Sequence, residues 1–267
     1  MATRDHKVSS IQGYWADQTA AGFTDLPADL IAVLPIGAIE QHGPHLPLSV
    51  DRDLVEAVIA RAMPRLGSQQ NVLVLPTLAV TKSGEHDRHA GTLSLSAQSL
   101  LANLQEIGAA VSRAGVARLV LLNGHGGNNA VLDIAARDLR ISHQMLAATC
   151  SWFGFADYPD TAELAHDIHG GYLETSAMLA ARPELVDMSK AQNFHSASAD
   201  WAREFKFIGL TGQAAKPGWI IDDLNPHGAC GNAAAATAEM GRQLLHSAAE
   251  NFVAFLAEFA RFELRKD

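Results

Sequence analysis

Residues 30–35 read Leu-Ile-Ala-Val-Leu-Pro, six positions in a row without a charge or a polar side chain. A half-buried strand alternates apolar and polar residues. A short unbroken apolar run therefore predicts a strand buried on both faces, as in a parallel sheet covered by helices. Residues 72–75 (VLVL), 116–122 (VARLVLL) and 145–152 (MLAATCSW) have the same character. Between these runs, residues 52–66, 97–114 and 128–141 carry apolar side chains at helical spacing. Strand and helix in alternation predict an α/β fold, a three-layer α/β/α arrangement around a mainly parallel sheet. A last helix is predicted over residues 233–262. Its alanine-rich start suits tight packing on the sheet or on a neighbouring subunit, whereas Gly241 argues against an unbroken rod. Residues 153–165 and 193–231 read as irregular, and loops of that length usually carry function. No repeat or long linker divides the chain, so one domain over residues 1–267 is expected.

Composition narrows the function. Twenty Lys and Arg against 29 Asp and Glu give a formal net charge of −9. A balance this acidic offers no general attraction to phosphate backbones or anionic lipid, so neither nucleic acid nor membrane is an expected partner. The sequence begins without an apolar run of leader length, and no stretch reaches the roughly 20 apolar residues of a spanning helix. A cytoplasmic location is expected. Cys150 and Cys230 lie far apart, form no CxxC pair and read as small buried hydrophobes.

Twelve histidines are a richer signal, because several stand beside Asp, Glu and Gly in three clusters. The first, Glu40-Gln41-His42-Gly43-Pro44-His45-Leu46-Pro47 and on to Asp51, follows the first predicted strand, where open α/β sheets bind ligands. Glu40 and His42 are two apart, so extended backbone sends both side chains the same way. Asp51 precedes a helix and could equally be its N-cap. The second cluster, Asn123-Gly124-His125-Gly126-Gly127-Asn128, leaves the third strand toward the same crevice. It could cradle a phosphate, but Asn129 stands where a dinucleotide fingerprint needs Gly or Ala. The third runs from Asp167 through His169-Gly170-Gly171 to Glu174-Thr175-Ser176, ahead of a helical stretch at 177–181. Imidazoles and carboxylates without thiolates fit a hydrolytic Zn²⁺ or Mn²⁺ site, and the surplus of acidic groups suits two ions sharing one carboxylate.

On these residues the chain resembles the creatininase (creatinine amidohydrolase) family. The resemblance spans nearly the whole chain, and its most specific part is Glu40 to Pro47 with Asp51. It is reinforced by Asn123 to Asn128, by Glu174-Thr175-Ser176 and by Glu85-His86 with Ala90-Gly91-Thr92. The resemblance implies a creatininase-like fold and two divalent ions per subunit, Zn²⁺ or Mn²⁺. Glu40 and His125 would hold one ion and His42 the other, with Asp51 bridging. Creatininase itself carries a Glu two residues after the histidine that matches His125. This chain has Gly127 there, so Glu174 takes that place as ligand or as base, and His169 falls at the catalytic histidine that moves a proton. His86, Trp152, Trp219 and His227 are candidate pocket residues, although Trp152 ends an apolar strand and suits the core, and Trp219 and His227 could serve only packing in their loop. His89 could meet substrate or a neighbouring subunit. His6, His143, His166, His195 and His246 read as surface residues.

The implied activity opens a C–N bond of a small cyclic amide, or removes an acyl group from nitrogen, by a metal-bridging hydroxide. The same centre could instead open a lactone or a cyclic ketone. A metal-stabilised assembly subunit without turnover is the reading from another class, and the absence of a GxSxG elbow argues against a serine hydrolase. A small-molecule substrate and a homo-oligomer, a hexamer, are further implications of the resemblance.

Overall fold

The computed structural model describes residues 10–161 and 163–264, so His6 lies outside the described residues. Five parallel strands form the main sheet in the order β1-β3-β2-β4-β5. They are β1 (Gln12–Tyr14), β2 (Ile31–Ile36), β3 (Val72–Val74), β4 (Arg118–Asn123) and β5 (Leu146–Ser151). All six residues of β2 and of β4 are buried, as unbroken apolar runs in the middle of a sheet require. The two strands run in register from Ile31 opposite Arg118 to Ile36 opposite Asn123. Their carboxyl ends are therefore neighbours, and the first two clusters emerge side by side.

Alternate residues of β2 feed opposite layers. Ile31 and Val33 pack with helices α1 (Val50–Ala62), α4 (Tyr172–Ala181) and α7 (Ala238–Arg261). Ala32, Leu34 and Ile36 pack with α2 (Ala97–Arg113) and α3 (Asn129–His143). The three-layer α/β/α arrangement follows. No helix among the described residues is long and apolar enough to cross a membrane.

Several boundaries differ from the sequence reading. Strand β1 was not anticipated, since a three-residue edge strand with two exposed positions carries no apolar run. Helix α1 begins at Val50, which puts Asp51 inside the first turn and leaves the N-cap position to Ser49. Asp51 is thus not a cap. The final helix begins at Ala238, where the Thr237 hydroxyl accepts from Met240 N–H, and only a 3₁₀ turn occupies Ala233–Ala235. The stretch read as irregular after residue 193 contains α5 (Ala197–Glu204) and α6 (Ile221–Leu224), with β6 (Asn193–Phe194) pairing antiparallel to β7 (Gly231–Asn232). Of the two cysteines, Cys230 is buried and Cys150 half-buried.

Gly241 has a packing reason. It lies buried on α7 where that helix crosses α4, and a Cβ there would overlap the carbonyl oxygen of Ser176. Alanine is the better helix former by roughly 1 kcal/mol. Gly241→Ala should nevertheless lower stability by about 1–3 kcal/mol, the usual cost of overpacking, as measured by denaturant unfolding.

Candidate metal centre

Five segments converge outside the carboxyl ends of β2 and β4. The chain after β2 brings Glu40 and His42, the first turn of α1 brings Asp51, and the turn after β3 brings His86. The turn after β4 brings His125, and the approach to α4 with its first turn brings His169 and Glu174. All seven side chains are buried. His125 Nδ1 lies 3.2 Å from Glu40 Oε1 and 3.4 Å from Asp51 Oδ2. His42 Nε2 lies 3.3 Å from Asp51 Oδ1, 3.8 Å from Glu174 Oε2 and 3.9 Å from Glu40 Oε1. His86 Nε2 and His169 Nδ1 face Glu40 Oε1 at 3.4 and 3.7 Å.

Backbone carbonyls fix which ring nitrogen carries the proton. His42 Nδ1–H donates to Glu40 O at 3.1 Å, His125 Nε2–H to Lys82 O at 3.0 Å and His169 Nε2–H to Gln41 O at 2.7 Å. The remaining nitrogen of each ring therefore faces the carboxylates, and once free of its proton it has the arrangement of a ligating histidine. His86 is different. Its Nδ1 accepts from the Gln41 side-chain amide at 3.0 Å, so the ring proton is on Nε2, which faces Glu40 Oε1 at 3.4 Å without forming a hydrogen bond.

Lone pairs and carboxylate oxygens facing one another call for a cation. Glu40 Oε1, His42 Nε2 and Asp51 Oδ2 are buried without a hydrogen-bond partner, a costly state unless an ion joins them. Among the described residues, three triads have ligand atoms close enough to hold a metal: Glu40, Asp51 and His125; His42, His169 and Glu174; and Glu40, His86 and His169. The donor set of imidazoles and carboxylates fits Zn²⁺ or Mn²⁺.

Electrostatics agree. Burial alone would raise the Glu40 carboxyl, but the facing imidazoles of His125, His86 and His42 outweigh it and hold Glu40 well below the usual range. Burial and then Glu40 push Asp51 up. Burial raises Glu174 to about 7, with Asp51 adding to the rise. Burial would lower His42, yet Asp51, Glu174 and Glu40 lift it to about 10, so a proton holds the place of a cation there. His169 falls well below its ordinary value through burial and the neighbouring His42 and His86, and is neutral at neutral pH.

The centre forms the floor of a cleft of about 1000 Å³, with Phe153, Tyr158 and Trp219 on its walls. Of the pocket residues expected from sequence, His86 and Trp219 line this cleft. Trp152 does not. It is fully buried in the core, stacked on Phe153 with ring centroids 3.8 Å apart, because the strand end turns its indole inward. His227 does not reach the cleft either; it is exposed and lies 6.1 Å from the Phe194 ring. His89 binds Asp222 at 2.8 Å and ties the turn after β3 to α6. His143, His195 and His246 are exposed, whereas His166 is half-buried and bonded to Ser198 Oγ.

Sequence reasoning gave no role to four supporting residues. Ser83 Oγ–H donates to Glu40 Oε2 at 2.5 Å and leaves Oε1 to face the imidazoles. His45 Nε2 pairs with Thr175 Oγ1 at 2.9 Å, buried behind the first cluster that contains it. Asp167 accepts from Tyr172 N–H at 2.6 Å and anchors the start of α4, while burial raises its carboxyl to about 6. Glu85 accepts from the Lys82 ammonium at 2.6 Å. The Glu85-His86 pair was visible in the sequence, but its purpose was not.

Known proteins are similar to this chain in sequence and in architecture. The family model described as creatinine amidohydrolase (Creatininase) matches residues 16–256. A creatinine amidohydrolase of Pseudomonas putida is 36% identical over 181 residues, covering 61% of this chain and 68% of that protein. A mycofactocin precursor peptide peptidase of Mycobacterium ulcerans is 32% identical over 244 residues, 88% of each chain. Two solved creatininases superpose with a TM-score of 0.72. One, described as a Zn-Zn type, is 27% identical and covers 93% of this chain and 98% of that chain. The other, described as Creatininase Mn, is 26% identical and covers 94% of this chain and 100% of that chain. With a match over nearly its whole length and a buried His, Asp and Glu cluster at the strand ends, the chain belongs to the creatininase family of amidohydrolases.

Proposed function

We propose that the protein is a dinuclear metal hydrolase that cleaves a C–N bond of an amide. Glu40, Asp51 and His125 would hold one ion, and His42 and Glu174 the other, with Asp51 shared. The observation that carries this reading is the trio of buried, unpartnered atoms Glu40 Oε1, His42 Nε2 and Asp51 Oδ2. When bound, such ions polarise a carbonyl and acidify water.

The chain's own residues do the rest. Ser83 holds one oxygen of Glu40, and Gly170 N–H holds Glu174 Oε2 at 2.6 Å, so both carboxylates are oriented before any ligand arrives. His169 is neutral and tethered through Nε2–H, which leaves Nδ1 to take a proton from water and pass it to the departing nitrogen. His86 faces Glu40 with its protonated Nε2 and steadies that carboxylate's charge.

The cleft sits at the top of the roughly 300–1,000 Å³ range of small-ligand sites, which favours an acylated nitrogen in a peptide-sized substrate over a single small ring. The relative named as a precursor peptide peptidase is consistent with that size. Protein reconstituted with Zn²⁺ or Mn²⁺ should release amine from members of a panel of cyclic amides, N-formyl compounds and short peptides. Turnover confined to lactones, with no amine released from any substrate, would contradict amide cleavage.

Metal loading should release protons. In the metal-free protein His42 keeps its proton up to about pH 10 and Glu174 up to about 7. Against burial, Glu40, Glu85 and Asp51 hold His125 protonated well above its ordinary range, so a cation must displace all three protons. Apparent affinity should therefore rise with pH, by about two log units per pH unit while His42 and His125 each give up a proton and more steeply where Glu174 does too. Calorimetric titrations in buffers of different ionisation enthalpy measure this. A heat independent of the buffer would contradict it.

A further inference from the structure

Gly127 and Glu85 share one volume. A Cβ built on Gly127 would overlap Glu85 Oε1 and His125 Nε2 and lie 2.9 Å from Glu85 Cδ. A side chain at position 127 and the observed carboxylate of Glu85 are therefore mutually exclusive. Glu85 reaches this place from the 3₁₀ turn Gly84–His86 that follows β3, and Lys82 Nζ clamps its other oxygen at 2.6 Å. What it reaches is the back of His125. Glu85 Oε1 is 3.5 Å from His125 Nε2, the ring nitrogen that also donates to Lys82 O, while His125 Nδ1 faces Glu40 and Asp51. The turn thus presents a carbonyl and a carboxylate to one edge of the imidazole and leaves the other edge for the metal centre. Glu85 stands on the far side of the ring from that centre and belongs to none of the triads able to hold an ion.

We propose that Glu85 is a positioning residue of the metal centre, an outer carboxylate that orients His125 and strengthens it as a donor, and that position 127 is glycine because Glu85 needs its space. Carboxylates behind ligating histidines raise the donor strength of the ring and fix its tautomer, and their loss typically weakens metal binding by about 10–100-fold. A glutamate at position 127 and one at position 85 would compete for the same room beside His125. This chain places its carboxylate on the turn after β3 instead.

The proposal rests on the metal reading given above, and the test separates the two. Co²⁺ is the probe: its affinity is measured by competition with a chelator, and its visible absorption reports ligand geometry. Wild-type protein should bind Co²⁺. Glu85→Ala should weaken binding about 10–100-fold and shift the absorption bands. Glu85→Gln, whose amide oxygen can stand at the same 3.5 Å from His125 Nε2, should recover part of the loss. Gly127→Ala should lower affinity by displacing both the Glu85 carboxylate and the His125 ring. The double variant should lose less than the sum of the two single losses, a non-additivity expected of residues sharing one volume. A Glu85→Ala protein with wild-type affinity and spectrum overturns the positioning role, and additive losses in the double variant overturn the shared volume. A wild-type protein that binds no Co²⁺ overturns the metal reading itself, and the proposal with it.

Discussion

Asp51→Ala is expected to abolish turnover and to remove most of the bound metal. Asp51 is the one carboxylate with an oxygen on each half of the centre, Oδ1 toward His42 and Oδ2 toward His125. Its loss deprives both proposed ions of a shared ligand. The stability signature distinguishes this role from a structural one. In the metal-free protein burial and Glu40 push the Asp51 carboxyl up while His42 and His125 pull it down, so its removal takes away a repulsion and two attractions together. The variant should lose the increment in unfolding midpoint that metal adds to the wild type. A helix cap would behave otherwise, costing about 1 kcal/mol with or without metal. Thermal unfolding of both proteins, with and without Zn²⁺, decides between them.

His169→Ala is expected to keep metal and lose rate, by about 10²–10⁴-fold in kcat, the usual contribution of a positioned proton carrier. The imidazole is buried, neutral and held by Gln41 O, with Nδ1 3.7 Å from Glu40 Oε1. His169 also belongs to two of the triads able to hold an ion, so a ligand role is the concrete rival. Metal analysis of the variant beside its kinetics separates the two. Full metal content with depressed kcat supports proton transfer. Loss of an ion makes His169 a ligand, and unchanged kcat removes it from the chemistry.

Much of this was legible in the sequence because the informative residues stand at strand ends. Glu40, His42 and His125 follow β2 and β4, whose apolar runs mark them as buried strands, and the parallel pairing found between them sets their carboxyl ends side by side. Asp51 was ambiguous only because a cap and a ligand occupy the same place in sequence; the start of α1 at Val50 resolves it. Trp152 misled because a tryptophan after a strand suits either a pocket wall or a core, and only the direction of the following turn chooses. His227 misled because the loop around it folds back toward Phe194 and away from the cleft. Glu85, Ser83 and Lys82 were opaque for another reason. Their partners are His125 and Glu40, roughly 40 positions away, and the contacts depend on how the turn after β3 crosses the end of β4. Local periodicity carries no record of such pairings.

Metal content per chain is the most direct test of a two-ion centre. Elemental analysis of the protein purified without added metal, and again after dialysis against Zn²⁺ or Mn²⁺, should find about two ions per chain, the number for which a bridging carboxylate is built. A protein that retains no metal and takes up none would leave Glu40, His42 and Asp51 as buried groups without a purpose and would contradict the metal-hydrolase function.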